Sequence, residues 1–403
     1  MPTIVFNQYN TIGFAIILLL VGKFLRGKIS LLEKFAIPAP VIGGLIFAIT
    51  ALVLNLTDVL AFEYDDTFKD LFMIMFFTTI GFNASIAVLK KGGKKVVLFL
   101  LVATVLCVFQ NGIALGLGKL VGMEPGLALM TGSTPMTGGH GTSAAIAPDV
   151  EKMGYVGAES IALASATFGL VAGSLLGGPT ATQLIKKKKL GNYNKDGSVV
   201  TKKGADGGDG KLDADKLATA FFMVLIAVGI GVYLSQFINA GIAKITTKAK
   251  MPMYIGPMFI GIIIRNLTDG TKYEMPMEEI GSVGDICLSI FLAMALMTLR
   301  LWDLKSVFGQ MSVLLIAQAV FMYFYARFVT FKVMGGNYDA AVLAAGHCGF
   351  GLGATPNGVA NMESVCENYG YSEEAFFVLP IVGGMFIDFT NVAVITAFQM
   401  FFI

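Results

Sequence analysis

The chain has 403 residues, 55% of them hydrophobic and 14% charged, with a mean hydropathy of +0.74. A soluble domain carries about 25% charged residues, so the composition excludes an ordinary water-soluble enzyme and points to lipid. A net charge of +2 leaves no electrostatic footprint for nucleic acid, and the four cysteines show no CxxC spacing for a zinc site or disulfide framework.

A membrane-spanning helix needs about 20 mostly apolar residues. The first such run covers 3–21, with Asn7, Gln8 and Asn10 making its outer end polar. No basic region precedes it and no clear cleavage site follows it, so it reads as a span and not as a cleaved signal. A basic connector (Lys23, Arg26, Lys28, Lys34) leads to Pro38 and Pro40, which open a second span ending near residue 56. An acidic connector (Glu63, Asp65, Asp66) precedes a third span over 70–89. Lys-Lys-Gly-Gly-Lys-Lys at 90–95 precedes a fourth over 96–122, and a fifth over 161–185 carries no charge. Residues 186–216 change in kind, to lysine, glycine, asparagine and aspartate, and read as a solvated flexible linker. Its Asp-Gly-Gly-Asp-Gly run at 206–210 lacks the ligand spacing and closing glutamate of a calcium loop. Spans return over 217–238, 253–264, 283–299, 307–326 and 375–403.

Two stretches break this pattern. Residues 132–145 read Gly-Ser-Thr-Pro-Met-Thr-Gly-Gly-His-Gly-Thr-Ser-Ala-Ala, and 346–361 read Gly-His-Cys-Gly-Phe-Gly-Leu-Gly-Ala-Thr-Pro-Asn-Gly-Val-Ala-Asn. They hold the chain's two histidines, His140 and His347. Both are too glycine-rich for a helix and too apolar for a solvated loop, and such backbone is tolerated at membrane depth only where it is buried in protein or lines a wet cavity. The expected fold is therefore an all-α polytopic membrane protein of about ten spans, with two re-entrant hairpins near 130–148 and 342–361. Sliding the chain by 214 positions puts Pro38 on Pro252, Gly139 on Gly353 and Glu159 on Glu373. The identities are few, and the hydropathy match carries more of the argument. Residues 1–187 and 216–403 then form two repeats around a linker at 188–215. Five spans per half make the repeats inverted, an arrangement common in secondary transporters. Most of the 29 basic residues fall inside if both termini lie outside and the linker is cytoplasmic.

Broken helices present unpaired N–H groups and a partial positive charge at their N-termini, where carboxylates bind. Gly138, Gly139, His140, Gly141, Thr142 and Ser143 offer close backbone approach and hydroxyl donors, and Gly353, Ala354, Thr355, Pro356 and Asn357 repeat the theme, with Pro356 suited to a first helical turn. The plainer alternative is that these glycines only let helices pack closely. Asp388 is the one charged side chain between 375 and 403, beside Thr390 and Asn391; it reads as a ligand for a small cation, with pairing to a neighbouring helix as the rival. Thr79 and Asn83, in a polar patch with Thr78 and Ser85, can add oxygens to that cation or bond between helices. Arg300 can hold a substrate carboxylate or snorkel to the interface beside Trp302. Each histidine alone reads as a proton carrier, a donor or a satisfied polar residue.

Residues 79–85, 138–142, 346–356 and 386–391 (Phe-Ile-Asp-Phe-Thr-Asn) together resemble the bacterial sodium/glutamate symporter family over essentially the whole chain. The resemblance implies ten spans, two re-entrant hairpins in inverted halves, an elevator-like movement, sodium-coupled glutamate uptake across the bacterial cytoplasmic membrane, and a homodimer. Sodium is then the co-transported ion, at Asp388, Asn391, Asn83 and Thr79, and no organic cofactor is expected. A dicarboxylate or citrate carrier is the nearest alternative, because the hairpin chemistry asks only for carboxylates; an ion channel with paired loops is a further one. No H-E-x-x-H or G-x-S-x-G motif occurs to support an intramembrane hydrolase.

Overall fold

The computed structural model describes residues 1–35, 37–191, 213–244 and 252–403. The chain opens on β1 (Thr3–Phe6) and α1 (Gln8–Lys28), followed by α2 (Ser30–Lys34), α3 (Ala39–Leu56), β2 (Ala61–Tyr64), α4 (Thr67–Asn83) and α5 (Ile86–Leu120). Next come α6 (Pro125–Leu129), α7 (Gly139–Lys152), α8 (Ala158–Lys188), α9 (Ala214–Ala243), α10 (Ile255–Thr268) and α11 (Met277–Met297). After a 3-10 turn at Leu301–Ser306 the chain continues through α12 (Phe308–Tyr325), a π-helical segment (Ala326–Thr330) and α13 (Phe331–Val333). It ends with α14 (Tyr338–Leu352), α15 (Thr355–Tyr369), α16 (Glu373–Ile381), a second π segment (Val382–Phe386) and α17 (Ile387–Phe402). Among the described residues, eight helices are long and apolar enough to cross a membrane. The expected spans over 70–89 and 253–264 fall on α4 and α10, of 17 and 14 residues. Most of the expected linker, with the 206–210 run, lies outside the described residues.

Two expectations need correction. Residues 3–6 do not begin the first span; they form a strand paired in parallel with 61–64, from Thr3↔Ala61 to Phe6↔Tyr64. The helix starts only after Asn7, whose side chain accepts from the amides of Tyr9 and Asn10, so the polar group assigned to the outer end of a span is its N-cap. Both glycine-rich stretches, judged too glycine-rich for a helix, are partly helical: residues 139–145 are the first two turns of α7, and residues 346–352 the last two turns of α14. Every residue of α14 except Asp339 in its first turn is buried, and a helix buried nearly all round is stabilised by packing, which overrides the propensity cost of its glycines.

The chain forms two compact units. One takes Met1–Ser85, Ala144–Leu163 and the described part of Leu212–Phe308; the other takes Ile86–Ser143, the described part of Ala164–Lys211, and Gly309–Ile403. Each unit draws on segments from both sides of the linker. The first is held by two apolar clusters. Leu18, Phe47, Met294 and Met297 tie α1 and α3 to α11, and Phe82, Val224 and Val283 tie α4 and α9 to α11. The outer face of α9 leaves Phe222, Ile230, Tyr233 and Phe237 exposed, as a lipid-facing helix would.

The second unit is built around α14 and α15. The chain reverses at Gly353 and Ala354 and restarts at Thr355, with proline in the first turn. Asn337 caps α14 by accepting from the Ala340 amide, and Gly370, with φ of 101°, ends α15. Helix α5 kinks at Gly93 (φ 60°) within its four-lysine run, and Lys95 pairs with Glu374 at the start of α16.

Candidate functional site

The two motif-bearing stretches meet inside the second unit. In the first, residues 130–138 form irregular turns and α7 begins at Gly139. Gly139 has φ of 62°, and a Cβ placed on it would lie 2.7 Å from the Gly353 carbonyl oxygen. A side chain there is therefore excluded both by conformation and by contact. The two breaks in helical structure, at 138–139 and at 353–354, thus lie against each other, and one helix starts from each.

A polar network joins them. Gln110 on α5 is 1% exposed; its Nε2 donates to the Gly351 carbonyl at 2.7 Å and its Oε1 accepts from Thr137 Oγ1 at 2.7 Å. Gln318 on α12 donates to the Gln110 carbonyl at 2.8 Å and to the Thr131 carbonyl at 3.2 Å. Asn111 Oδ1 accepts from the Ser133 amide at 2.8 Å. Three amide side chains on spanning helices thus hold the irregular backbone that has no helical partners, as buried polar groups require. His140 Nε2 lies 2.9 Å from Thr167 Oγ1, and Asn357 donates to Ser174 Oγ at 2.7 Å. His347 Nδ1 lies 2.8 Å from Thr330 Oγ1 in the π segment, and its ring stacks on Phe350 at 4.9 Å.

Asp388 and Asn391 belong to this unit as well. Asn391 Nδ2 donates to the Ser133 carbonyl at 3.2 Å, which docks α17 on the 131–138 turns. Gly383, in the π segment just ahead of Asp388, backs onto Thr355 Oγ1; a Cβ there would come within 2.9 Å. Asp388 is half-buried and forms no ion pair among the described residues. Four oxygens of this unit are sealed from solvent without a hydrogen-bond partner among the described residues: Ser133 Oγ, Thr134 Oγ1, Ser143 Oγ and Asn391 Oδ1. Hydroxyl, amide and carboxylate oxygens are the ligands a small hard cation takes.

The remaining candidates lie in the first unit. Thr78 and Thr79 donate to their own helix, to the Ile74 and Phe76 carbonyls at 2.7 Å each, and Ser85 donates to Asp269. Asn83 ends α4. Arg300 is 61% exposed in its side chain and lies 4.0 Å from Glu151. Sequence reading passed over Gln110, Asn111 and Gln318. The available signal was the cost of an amide within an otherwise apolar span.

Spanning helices interrupted at two mutually packed breaks, with buried hydroxyls and, on the helix docked against them, a carboxylate without an ion pair among the described residues, define a polytopic membrane protein whose centre suits small charged solutes. A profile of the sodium/glutamate symporter family matches residues 4–371. The chain belongs to that family. It is 41% identical over 393 residues to the sodium/glutamate symporter of Escherichia coli (strain K12), covering 97% of this chain and 96% of the relative. It is 39% identical over 395 residues to that of Haemophilus influenzae, with the same coverage.

Proposed function

We propose that the protein takes up glutamate across the bacterial cytoplasmic membrane by symport with sodium. The observation that carries this reading is the contact between Gly139 and Gly353, which sets the starts of α7 and α15 side by side. The residue at the N-cap of α15, Ala354, gives no side-chain cap, so the amides of its first turn suit a carboxylate. Gly138–Ser143 and Gly353–Asn357 hold the two carboxylates of the substrate. Sodium, as cargo, takes Asp388 and Asn391 with the hydroxyls of Ser133 and Thr134; Thr79 and Asn83 are secondary candidates on the other unit. The name of the matched relatives, sodium/glutamate symporter, supports both solutes. The same relatives support a transporter in place of an enzyme.

The finer architecture belongs to the same reading. The chain forms two inverted repeats with a re-entrant hairpin in each, places its termini outside and its linker in the cytoplasm, works as a homodimer and moves its second unit in an elevator-like step. Counterflow of labelled glutamate in sodium-loaded proteoliposomes, with citrate, malate and aspartate as competitors, tests the substrate. Sodium-dependent exchange resisting a large excess of citrate and malate is expected. Preferential exchange of either competitor would make the protein a carrier of other carboxylates, and current without saturable exchange would make it a channel.

A further inference from the structure

The first unit contains a cavity of about 380 Å³, lined in part by Arg300, that the proposed transport site does not use. Its size lies in the range of small-molecule sites. The wall is formed where the end of α3 and strand β2 face the end of α7, the start of α8 and the turn after α11. Its charges are unequal. Glu63, Asp66, Glu151 and Glu159 line it, against Lys69 and Arg300, a surplus of two carboxylates. Phe62, Tyr64 and Trp302 give it aromatic walls.

The protein already keeps one alkylammonium there. Lys69 is 6% exposed, with Nζ 3.1 Å from Asp66 and 3.8 Å from Glu159. The longer pairing leaves Glu159 Oε1 sealed from solvent with no hydrogen-bond donor among the described residues. The Glu159 amide donates to Glu151 Oε2 at 3.2 Å, and Ser160 Oγ donates to the Arg300 carbonyl at 2.9 Å, so the wall is fixed by its own bonds. At the rim, Glu63 and Arg300 are both exposed, which opens the charged interior to solvent. Just outside, Asp65 is held below the usual carboxylate range by hydrogen bonds from the Thr67 side chain and amide, so it stays ionised and adds to the negative field.

We propose that this cavity binds an aliphatic di- or polyamine. One ammonium is received at Glu159 and Glu151, and the other lies over the aromatic wall toward Glu63. Carboxylates supply the charge, aromatic faces supply cation–π contact, and the alkyl stem takes the apolar wall. The carboxylates do not cluster closely enough to chelate a metal ion among the described residues, which favours an extended ligand with separated charges. An anionic amino acid is disfavoured by the surplus of negative charge. The inference stands apart from the transport reading, since it concerns other residues in the other unit.

Calorimetric titration of the full chain in neutral-lipid nanodiscs with putrescine and spermidine, at low ionic strength, tests it. Saturable spermidine binding, tighter than putrescine and weakened by salt, is expected. Glu159→Gln should weaken it by about tenfold or more. Because Glu159 also steadies Lys69, Glu63→Gln and Trp302→Leu at the rim and wall provide variants less exposed to misfolding, each expected to weaken binding severalfold. Absence of saturable amine binding, equal binding by all three variants, or displacement of spermidine by stoichiometric glutamate would overturn the assignment.

Discussion

Asp388 is the one charged side chain between residues 375 and 403. A charged carboxylate inside a span costs about 2.5–3.5 kcal/mol on insertion scales, and pairing with a neighbouring cation would repay it. No such pair exists among the described residues, and Asn391 and Thr390, the next polar groups on α17, turn to the Ser133 carbonyl and to Thr104 Oγ1. Asp388→Asn is expected to abolish sodium-driven glutamate counterflow while preserving expression and a cooperative melt. Normal counterflow by the variant would remove Asp388 from the transport reaction. Gln110 makes a different kind of contribution, since it satisfies both Gly351 and Thr137. Removing it in Gln110→Ala leaves buried groups unpaired, at about 1–3 kcal/mol, and the melting temperature of the purified protein should fall accordingly.

At the scale of elements, the two helix starts depend on how closely their preceding backbones approach. Gly139 sits at positive φ against the Gly353 carbonyl, so Gly139→Val strains the backbone and forces the two breaks apart. Glutamate affinity, read as the half-saturating concentration in counterflow, should weaken by at least an order of magnitude, with smaller loss in Gly139→Ala. An unchanged value in both variants would show that the contact plays no part in substrate binding. The π segments at Ala326–Thr330 and Val382–Phe386 were not legible in the sequence. A π turn shifts the register of the helix by one residue, and neither segment carries a composition that distinguishes it from α-helix. One sits beside His347 and the other just before Asp388. The strand at 3–6 escaped for another reason, as its partner at 61–64 is distant in sequence and local hydropathy does not distinguish a short apolar strand from the start of a span.

For the whole molecule, the long apolar helices were legible because lipid imposes a length and a composition together. Two-unit organisation was not legible, because each unit interleaves segments from both halves of the chain and sequence order gives no sign of it. The glycine-rich stretches stood out in the sequence, but the helical character of 139–145 and 346–352 was misjudged. Burial of α14 on all sides supplies a stabilisation that propensity does not contain. The symport reading also makes an electrical prediction. If two sodium ions accompany one glutamate anion, each cycle moves one net positive charge inward, worth about 2.3 kcal/mol per 100 mV. That corresponds to roughly fiftyfold in the accumulation ratio, at ~1.4 kcal/mol per decade. Imposing an inside-negative potassium diffusion potential on proteoliposomes should raise glutamate accumulation, and indifference to it would point to one sodium per glutamate.

Ser133 Oγ, Thr134 Oγ1, Ser143 Oγ and Asn391 Oδ1 lie in the protein interior with no donor or acceptor opposite them among the described residues. Lone pairs so placed penalise the fold until a guest satisfies them, so the transported solutes should act as stabilisers of their own carrier. Sodium alone, then sodium with glutamate, should raise the unfolding midpoint in steps, each reflecting a stabilisation of about 2.7 kcal/mol when the solute reaches a hundred times its dissociation constant. Potassium at equal ionic strength is expected to leave the midpoint lower, which would separate coordination of the ion from mere screening.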